Sequence, residues 1–417
     1  MAQYFPLSVV FQAPGGNCLL LVVPCLKRRM GIVLVAGGIL LKKIILAPDS
    51  FKGTLSAQEV CRIEKKVLTG YFPEAKIECI PMADGGEGMV DAYLNILGGR
   101  RNSVTVNGPL GNPITSYFGI LPDGSAVIEM AAAAGLPLVK GRENPLYTST
   151  YGVGEMIAQA RRDGIGKILL GLGGSCTNDC GVGMASALGF RFLGKDGMEL
   201  EARAYNLHRI YKIVEPDEPF NVEIYAACDV SNPLIGPNGA TYTFGPQKGA
   251  DQETLDCLER GVAHFAEVLS EHYGYDCTQI PGAGAAGGMG AAVRMMLNGT
   301  LKSGIELLLD ATKFDSTLED ADLVITGEGR VDWQSAFGKV VSGVGERCKK
   351  KNVPCIALGG SVGKGVERVY EHGITAVFSS IQNIATFDEV KNASQENLER
   401  LIDSVARLLV MKVPHLS

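Results

Sequence analysis

The chain has 417 residues, 46% of them hydrophobic and 20% charged, with a formal net charge of -6. That length allows two domains, and the composition is that of an ordinary globular protein without collagen-like glycine periodicity. No basic stripe accompanies the negative balance, so a nucleic-acid partner is not expected, while a small anionic ligand stays compatible because local charge decides that.

Residues 1–41 open the chain with two apolar runs, Cys18–Leu26 and Gly31–Leu41, separated by Lys27-Arg28-Arg29. Each run falls short of the roughly 18–20 residues that cross a bilayer. The basic cluster follows the first run instead of preceding it, which suits a secretory signal poorly. Residues 1–41 are therefore expected to be an extension outside the fold, with a weak membrane anchor as the alternative. From Lys42 onward strands and helices alternate, as in a layered α/β protein. A strand is expected at Lys43–Ala47, then a helix from the Ser56/Glu59 capping box to about Thr69. A strand at Lys76–Ile80 and a helix at Met89–Leu97 follow. Ser103–Val106, Ser116–Ile120 and Ala126–Glu129 read as short antiparallel strands joined by Gly/Pro/Asn turns. Next come helix Val153–Asp163, strand Lys167–Leu172, helix Gly183–Leu188, strand Glu223–Ala227 and a long helix Gln252–Tyr273. The last third returns to regular βα units: helix Gly288–Leu297, strand Leu323–Thr326, helix Lys339–Lys351, strand Pro354–Leu358, helix Val366–His372, strand Thr375–Phe378 and helix Gln395–Val410. Because the first units resemble the last third more than the middle, the expected fold is α/β. It comprises a discontinuous Rossmann-like parallel-sheet domain (42–105 and 280–417) with an inserted second α/β domain (106–279).

Five strands run out into loops rich in polar groups: Asp49, Ser50 and Lys52; Asp84 and Glu87; Ser175, Thr177, Asn178 and Asp179; Asp229; and Glu328, Arg330 and Asp332. In open α/β sheets, ligands bind just past the carboxyl ends of strands. One such loop is an ordinary capped turn; five argue for a polar site. Strand Leu323–Thr326 is expected to break into a turn alternating Gly327 and Gly329 with the ionisable residues. Lys52 and Lys248, each beside a glycine, suit a phosphate or carboxylate as compact point charges, the alternative being solvated turn lysines. The surplus of carboxylates suits Mg²⁺, which takes one or two carboxylates and fills its shell with phosphate oxygens.

Several chemistries find little support. The 11 cysteines are scattered without a C-x-x-C pair, which reads as reduced thiols in a cytoplasmic protein. The five histidines fall outside the glycine-rich loops, so neither a His-based zinc site nor a Ser-His-Asp triad is indicated. No P-loop is present. Gly282, Gly284 and Gly287 form a literal G-x-G-x-x-G, but the preceding Asp276–Ile280 is too polar and short for the strand that a dinucleotide fingerprint requires. That turn, with Gly288, can still present backbone N–H groups to a phosphate, or can simply pack a helix tightly on a sheet.

Taken together, these loops resemble those of the bacterial glycerate kinase family. The matching strings, in family order, are Ala-Pro-Asp-Ser-Phe-Lys-Gly (47–53), Pro-Met-Ala-Asp-Gly-Gly-Glu-Gly (81–88), Val-Ile-Glu-Met-Ala (127–131), Gly-Gly-Ser-Cys-Thr-Asn-Asp (173–179), Ala-Cys-Asp-Val (227–230), Gly-Pro-Gln-Lys-Gly (245–249), Pro-Gly-Ala-Gly-Ala-Ala-Gly-Gly (281–288) and Thr-Gly-Glu-Gly-Arg-Val-Asp (326–332). Cys176, Cys180, Trp333 and Gly359 depart from the family's usual residues. The resemblance implies two α/β domains with the site between them, and transfer of the ATP γ-phosphoryl group to D-glycerate with Mg²⁺. The product is mostly 2-phosphoglycerate in such families, with 3-phosphoglycerate as the alternative. On this reading Mg²⁺ is held by one or two of Asp84, Glu87, Glu328 and Asp332. Lys52, Arg330 and Lys248 neutralise the transferred group or hold the substrate carboxylate. Ser50, Ser175, Thr177 and Asn178 orient glycerate, and Asp49 or Asp229 accepts the hydroxyl proton. Gly282, Gly284, Gly287, Gly288, Gly327 and Gly329 approach the nucleotide. An NAD(P)-dependent hydroxy-acid dehydrogenase and a non-catalytic binding module are the competing readings; no membrane partner is expected, and the oligomeric state is left open.

Overall fold

The computed structural model describes residues 41–51, 53–83, 88–381, 383 and 386–411. Lys52, Asp84, Glu87 and the expected extension up to residue 40 lie outside the described residues. In chain order the strands are β1 (Lys43–Pro48), β2 (Lys76–Cys79), β3 (Arg100–Asn107), β4 (Pro113–Ile120), β5 (Ala126–Glu129), β6 (Lys167–Gly171) and β7 (Arg191–Leu193). Then follow β8 (Lys212–Val214), β9 (Glu223–Ala227), β10 (Thr300–Lys302), β11 (Leu323–Val331), β12 (Cys355–Val362) and β13 (Ala376–Ser379). They fall into two units, the first drawn from residues 41–81, 316–336 and 344–411, the second from 82–315 and 337–343.

The first unit is built on a five-stranded sheet in the order β13-β12-β11-β1-β2, parallel throughout. β1 is apolar and buried along most of its length, as a parallel strand covered on both faces must be. Helix Ala57–Tyr71 begins as expected: the Ser56 side chain accepts from the Glu59 N–H and the Glu59 carboxylate reaches back to the Ser56 N–H. Its Val60, Ile63 and Leu68 pack with Ile44, Leu46 and Ile325 of the sheet and with Leu398 and Ile402 of the terminal helix Ser394–Leu409. Ranked by sequence, the strand order is 2-1-3-4-5, which differs from the six-stranded 3-2-1-4-5-6 order of a dinucleotide-binding sheet. The succession reverses between β1 and β11.

The second unit contains a six-stranded sheet in the order β10-β9-β6-β5-β4-β3. β3, β4 and β5 pair antiparallel, as the turn-rich sequence predicts, and β5, β6, β9 and β10 are parallel. The helix Gln252–Tyr273 buries Val262, Phe265, Ala266 and Leu269 in this unit's core.

Three expectations about single elements are corrected. Strand β11 does not break at Thr326 but continues to Val331, pairing Glu328 with Gly359 and Arg330 with Ser361 of β12. Glycines let the two backbones run this close: a Cβ on Gly327 would sit 2.3 Å from the Leu358 carbonyl oxygen, and one on Gly360 2.4 Å from that of Gly329. The segment Val366–His372 is a 3-10 helix, closed at both ends by left-handed glycines, Gly365 (φ 77) and Gly373 (φ 94). The expected helix at Gly288 becomes regular only from Met289, because Ala286, Gly287 and Gly288 have φ of 52, 70 and 90. Residues 82–105 and 280–315, grouped with the first sheet in the sequence reading, lie in the second unit. There β3 completes a hairpin with β4, and β10 pairs with β9.

Candidate active site

In the second unit, four of the sequence motifs meet at one cavity of about 220 Å³. Its wall includes Gly173, Gly174 and Ser175 from the loop after β6, and Cys228, Asp229 and Val230 from the loop after β9. These two strands are parallel neighbours with Gly171 opposite Ala227, so both loops leave the sheet at its carboxyl edge. Gln247 and Lys248 come from the 3-10 turn Pro246–Lys248, and Ala285 and Ala286 from the glycine-rich turn. Phe244, Leu136 and Leu172 give the cavity an apolar side.

Lys248 is the electrostatic centre of this cavity. It is 1% exposed, and its Nζ donates to the Thr177 carbonyl at 2.6 Å. Burial disfavours the charged form and lowers its pKa to about 8. An ammonium carries three donors, so this group can hold the Thr177 carbonyl and still receive an anion entering the cavity. Ser175 is buried at the wall, and Asp229 is exposed, its Oδ1 accepting from the Gly304 N–H at 2.9 Å where helix Gly304–Ala311 begins.

Thr177 and Asn178, expected to bind substrate, are fully buried and do not line the cavity. Asn178 Nδ2 donates to Thr241 Oγ1 at 3.2 Å, while Asn178 Oδ1 and Thr177 Oγ1 have no hydrogen-bond partner. The loop that carries them is clamped by Asp179. One carboxylate oxygen accepts from both the backbone N–H and the hydroxyl of Thr150 at 2.9 Å, and the other accepts from the Gly181 N–H at 3.1 Å. Burial raises the Asp179 pKa, although these donors oppose the shift. On its other side the loop is tied to Ala134–Leu136, with Leu136 N–H donating to Gly174 and Cys176 N–H to Ala134. Cys176 is a buried thiol with its pKa pushed up to about 12, so it acts there as a small apolar residue. Cys180 adopts φ 50, in the left-handed region that favours glycine.

The glycines of the 282–288 turn meet protein backbone. A Cβ at Gly287 would lie 2.1 Å from the Thr177 carbonyl oxygen, and one at Gly284 2.1 Å from that of Pro233. At Gly282 and Gly288 it would meet the sulfurs of Cys228 and Cys180, both at 2.8 Å. The turn follows an irregular segment instead of a strand, which removes the structural context of a dinucleotide fingerprint.

In the first unit, Asp49, Ser50, Gly327, Glu328 and Gly329 gather where the strand succession reverses. Pro48 stands opposite Gly327, and the Asp49 N–H donates to the Gly327 carbonyl at 2.8 Å. Asp49 and Glu328 are buried at 5% and 8% exposure, and Asp49 Oδ1 accepts from the Ser50 N–H. Arg330 is largely exposed and pairs through Nε with Asp332 Oδ2 at 2.9 Å. The other Asp332 oxygen accepts from the Gln334 N–H. A cavity of about 320 Å³ at the carboxyl ends of these strands is lined by Phe51, Thr54, Gly329, Gly360, Ser361 and Ser380, among others. Trp333 is 48% exposed. Among the described residues, no group of three or more His, Cys, Asp or Glu is placed to hold a metal ion.

Sequence reasoning missed Gln247, Phe244 and Leu136 as cavity residues. Gln247 stood inside the quoted Gly-Pro-Gln-Lys-Gly string, which was the available signal. Leu136 reaches the site through its pairing with Gly174, which no local pattern announces.

The sequence model described as "Glycerate kinase family" matches residues 44–410. The glycerate kinase of Bacillus cereus is 46% identical over 369 residues, covering 87% of this chain and 97% of that protein. The Escherichia coli protein named glycerate 2-kinase is 43% identical over 374 residues, covering 88% of this chain and 98% of its own. A crystal structure of a Salmonella typhimurium LT2 protein, assigned as glycerate kinase 2, superposes with a TM-score of 0.77 at 40% identity, covering 88% of this chain and 98% of that one.

Proposed function

The chain belongs to the glycerate kinase family of phosphotransferases, and on that premise we propose that it transfers the γ-phosphoryl group of ATP to a hydroxyl of D-glycerate, giving 2-phosphoglycerate. The observation that carries this reading is the cavity of about 220 Å³ at the ends of β6 and β9. It has a cationic group, Lys248, a hydroxyl, Ser175, and a carboxylate, Asp229. A short hydroxy acid needs all three: a cation for its carboxylate, a hydrogen-bonding partner, and an acceptor for the proton that leaves its attacking hydroxyl.

Lys248 holds the substrate carboxylate, and its buried setting strengthens that attraction relative to water. Ser175 orients the acid, and Asp229 is the proton acceptor. Thr177 and Asn178 position Lys248 and the loop backbone, Thr177 through the carbonyl that Lys248 grips. Arg330, oriented by Asp332, and Lys52 neutralise the phosphates. Gly282, Gly284, Gly287 and Gly288 pack their turn on protein atoms, and Gly327 does the same against β12, so close protein packing is the role we give these glycines. A Mg²⁺ ion would be held by one or two of the carboxylates Asp84, Glu87, Glu328 and Asp332, hard oxygen donors of the kind it prefers, and would supply charge neutralisation to the phosphate oxygens. Asp49, buried beside the β1–β11 junction, supports this group. The first unit is the Rossmann-like nucleotide-binding domain and the second is an α/β domain inserted in it. Among the described residues no helix is long and apolar enough to cross a membrane, and all nine described cysteines are free thiols. We place the reaction in the cytoplasm, where ATP is available and thiols stay reduced.

The test is phosphorus NMR of the product made from ATP, Mg²⁺ and D-glycerate by the full chain. The expected outcome is ADP together with a single new phosphomonoester at the 2-position. A 3-phosphate product would overturn the regiochemistry, and unchanged ATP would overturn the activity.

A further inference from the structure

We propose that Cys79 and Cys61 are an oxidisable thiol pair that reduces low-molecular-weight disulfides, with Cys79 attacking and Cys61 resolving. Cys79 ends β2 and is exposed. Cys61 lies on helix Ala57–Tyr71, which covers that end of the sheet, and is buried at 2% exposure. Both sulfurs converge on one spot. Cys79 stands opposite Leu46 in the β1–β2 register, and Cys61 Sγ lies 3.8 Å from the Leu46 carbonyl oxygen. Cys79 Sγ in turn is 3.9 Å from the Cys61 carbonyl oxygen, so the exposed thiol lies against the residue that carries the buried one.

The surroundings divide the roles. The hydrogen bond from Cys61 and the charge of Lys65 lower the Cys79 pKa to about 7, despite partial burial. Cys61 is shifted upward by the same hydrogen bond and by burial, so it keeps its proton. Glu64, one turn further along the helix, has both carboxyl oxygens buried without a hydrogen-bond partner. Burial raises its pKa well above the usual range, which favours the neutral form of this carboxyl beside the Cys79 thiol. Among the described residues a second adjacent pair, Cys348 and Cys355, is 0% exposed at both residues, which denies a disulfide reagent any access.

The chemistry balances in two exchanges. The Cys79 thiolate attacks one sulfur of a disulfide RSSR, forming Cys79–S–S–R and releasing RS⁻. Cys61 then attacks the Cys79 sulfur, forming the Cys61–Cys79 bond and releasing R–S, which takes the Cys61 proton and leaves as RSH. The protein loses two electrons and RSSR gains them.

The experiment treats the full-length reduced chain with oxidised glutathione at pH 7, quenches with acid, alkylates the remaining thiols and maps the peptides by mass spectrometry. The wild type is expected to show a Cys61–Cys79 cross-linked peptide. Cys79 should react about threefold faster than a free thiol of ordinary pKa, the gain in thiolate outweighing its lower nucleophilicity. Cys61→Ser and Cys61→Ala should each trap one glutathione on Cys79, and Cys79→Ser should abolish both adduct and cross-link. A wild-type adduct that persists on Cys79 without cross-linking, or an unmodified Cys79 while other cysteines react, overturns the proposal. The wild-type peptide map separates these outcomes by itself, so a variant that fails to fold does not shelter the proposal.

Discussion

At the scale of single residues, buried charge sets how the proposed chemistry responds to pH. Lys248 is lowered by burial from 10.5 to about 8. If its ammonium holds the substrate carboxylate, KM for glycerate is constant below pH 8 and rises about tenfold per unit above it, as the proton is lost. Lys248→Met should lower kcat/KM by about 10²–10³-fold and remove that inflection, as a pH series of initial rates will show. Stability moves the other way. The folded pKa lies below the unfolded one, so between about pH 8 and 10.5 the unfolded chain binds more protons and the wild type gains stability with rising pH. The variant should lack that gain in urea titrations. Asp179 shows the same logic without a substrate. Its three donors fix the loop that carries Ser175, and Asp179→Asn turns one of the two acceptor oxygens into a donor that faces donors. The expected loss is about 1–3 kcal/mol in denaturant unfolding, with reduced activity as the loop relaxes.

At the scale of elements, glycine decides where backbones meet. Gly287 combines φ 70 with a would-be Cβ 2.1 Å from the Thr177 carbonyl oxygen, the same carbonyl that Lys248 grips. Gly287→Ala should therefore cost about 1–3 kcal/mol of stability, and weaken glycerate binding by moving the Lys248 anchor. The measurement is a paired thermal melt and KM determination; an unchanged KM with a lowered Tm would separate packing from positioning. β11 and β12 use glycine differently. There the alternation of glycine with Glu328 and Arg330 is read in a single residue stretch as a turn, because glycine and charge are turn signals. A second glycine-rich strand alongside converts it to extended pairing, since Gly327 and Gly360 each face a carbonyl across the ladder.

For the whole molecule, the match to family members begins at residue 44, and the Bacillus cereus relative aligns over 97% of its own length with 87% of this chain. Of residues 1–41, expected from the sequence to be an extension, Leu41 is buried in the core of the first unit, and we propose that the reaction does not need the residues before it. A chain beginning at Leu41 should keep kcat/KM within about twofold of the full-length protein and unfold at the same urea midpoint. A loss of activity on truncation would place that segment in the working enzyme.

Much of this protein was legible in its residues because the signals are local. The capping box of Ser56 and Glu59, the helix Gln252–Tyr273, the strand Glu223–Ala227 and the runs of parallel strands follow from periodicity and caps, which depend only on near neighbours. The motif strings determined the family, and they marked Ser175, Asp229 and Lys248 before any coordinates. What needed tertiary structure was every statement about facing and neighbourhood. That Ser175, Asp229 and Lys248 share a cavity while Thr177 and Asn178 turn into the core, and that Gly284 and Gly287 meet backbone carbonyls, are properties of packing between distant segments. So is the grouping of β3 and β10 with the second sheet, since pairing partners are chosen by which hydrophobic faces close together, and a strand's own residues do not encode that choice.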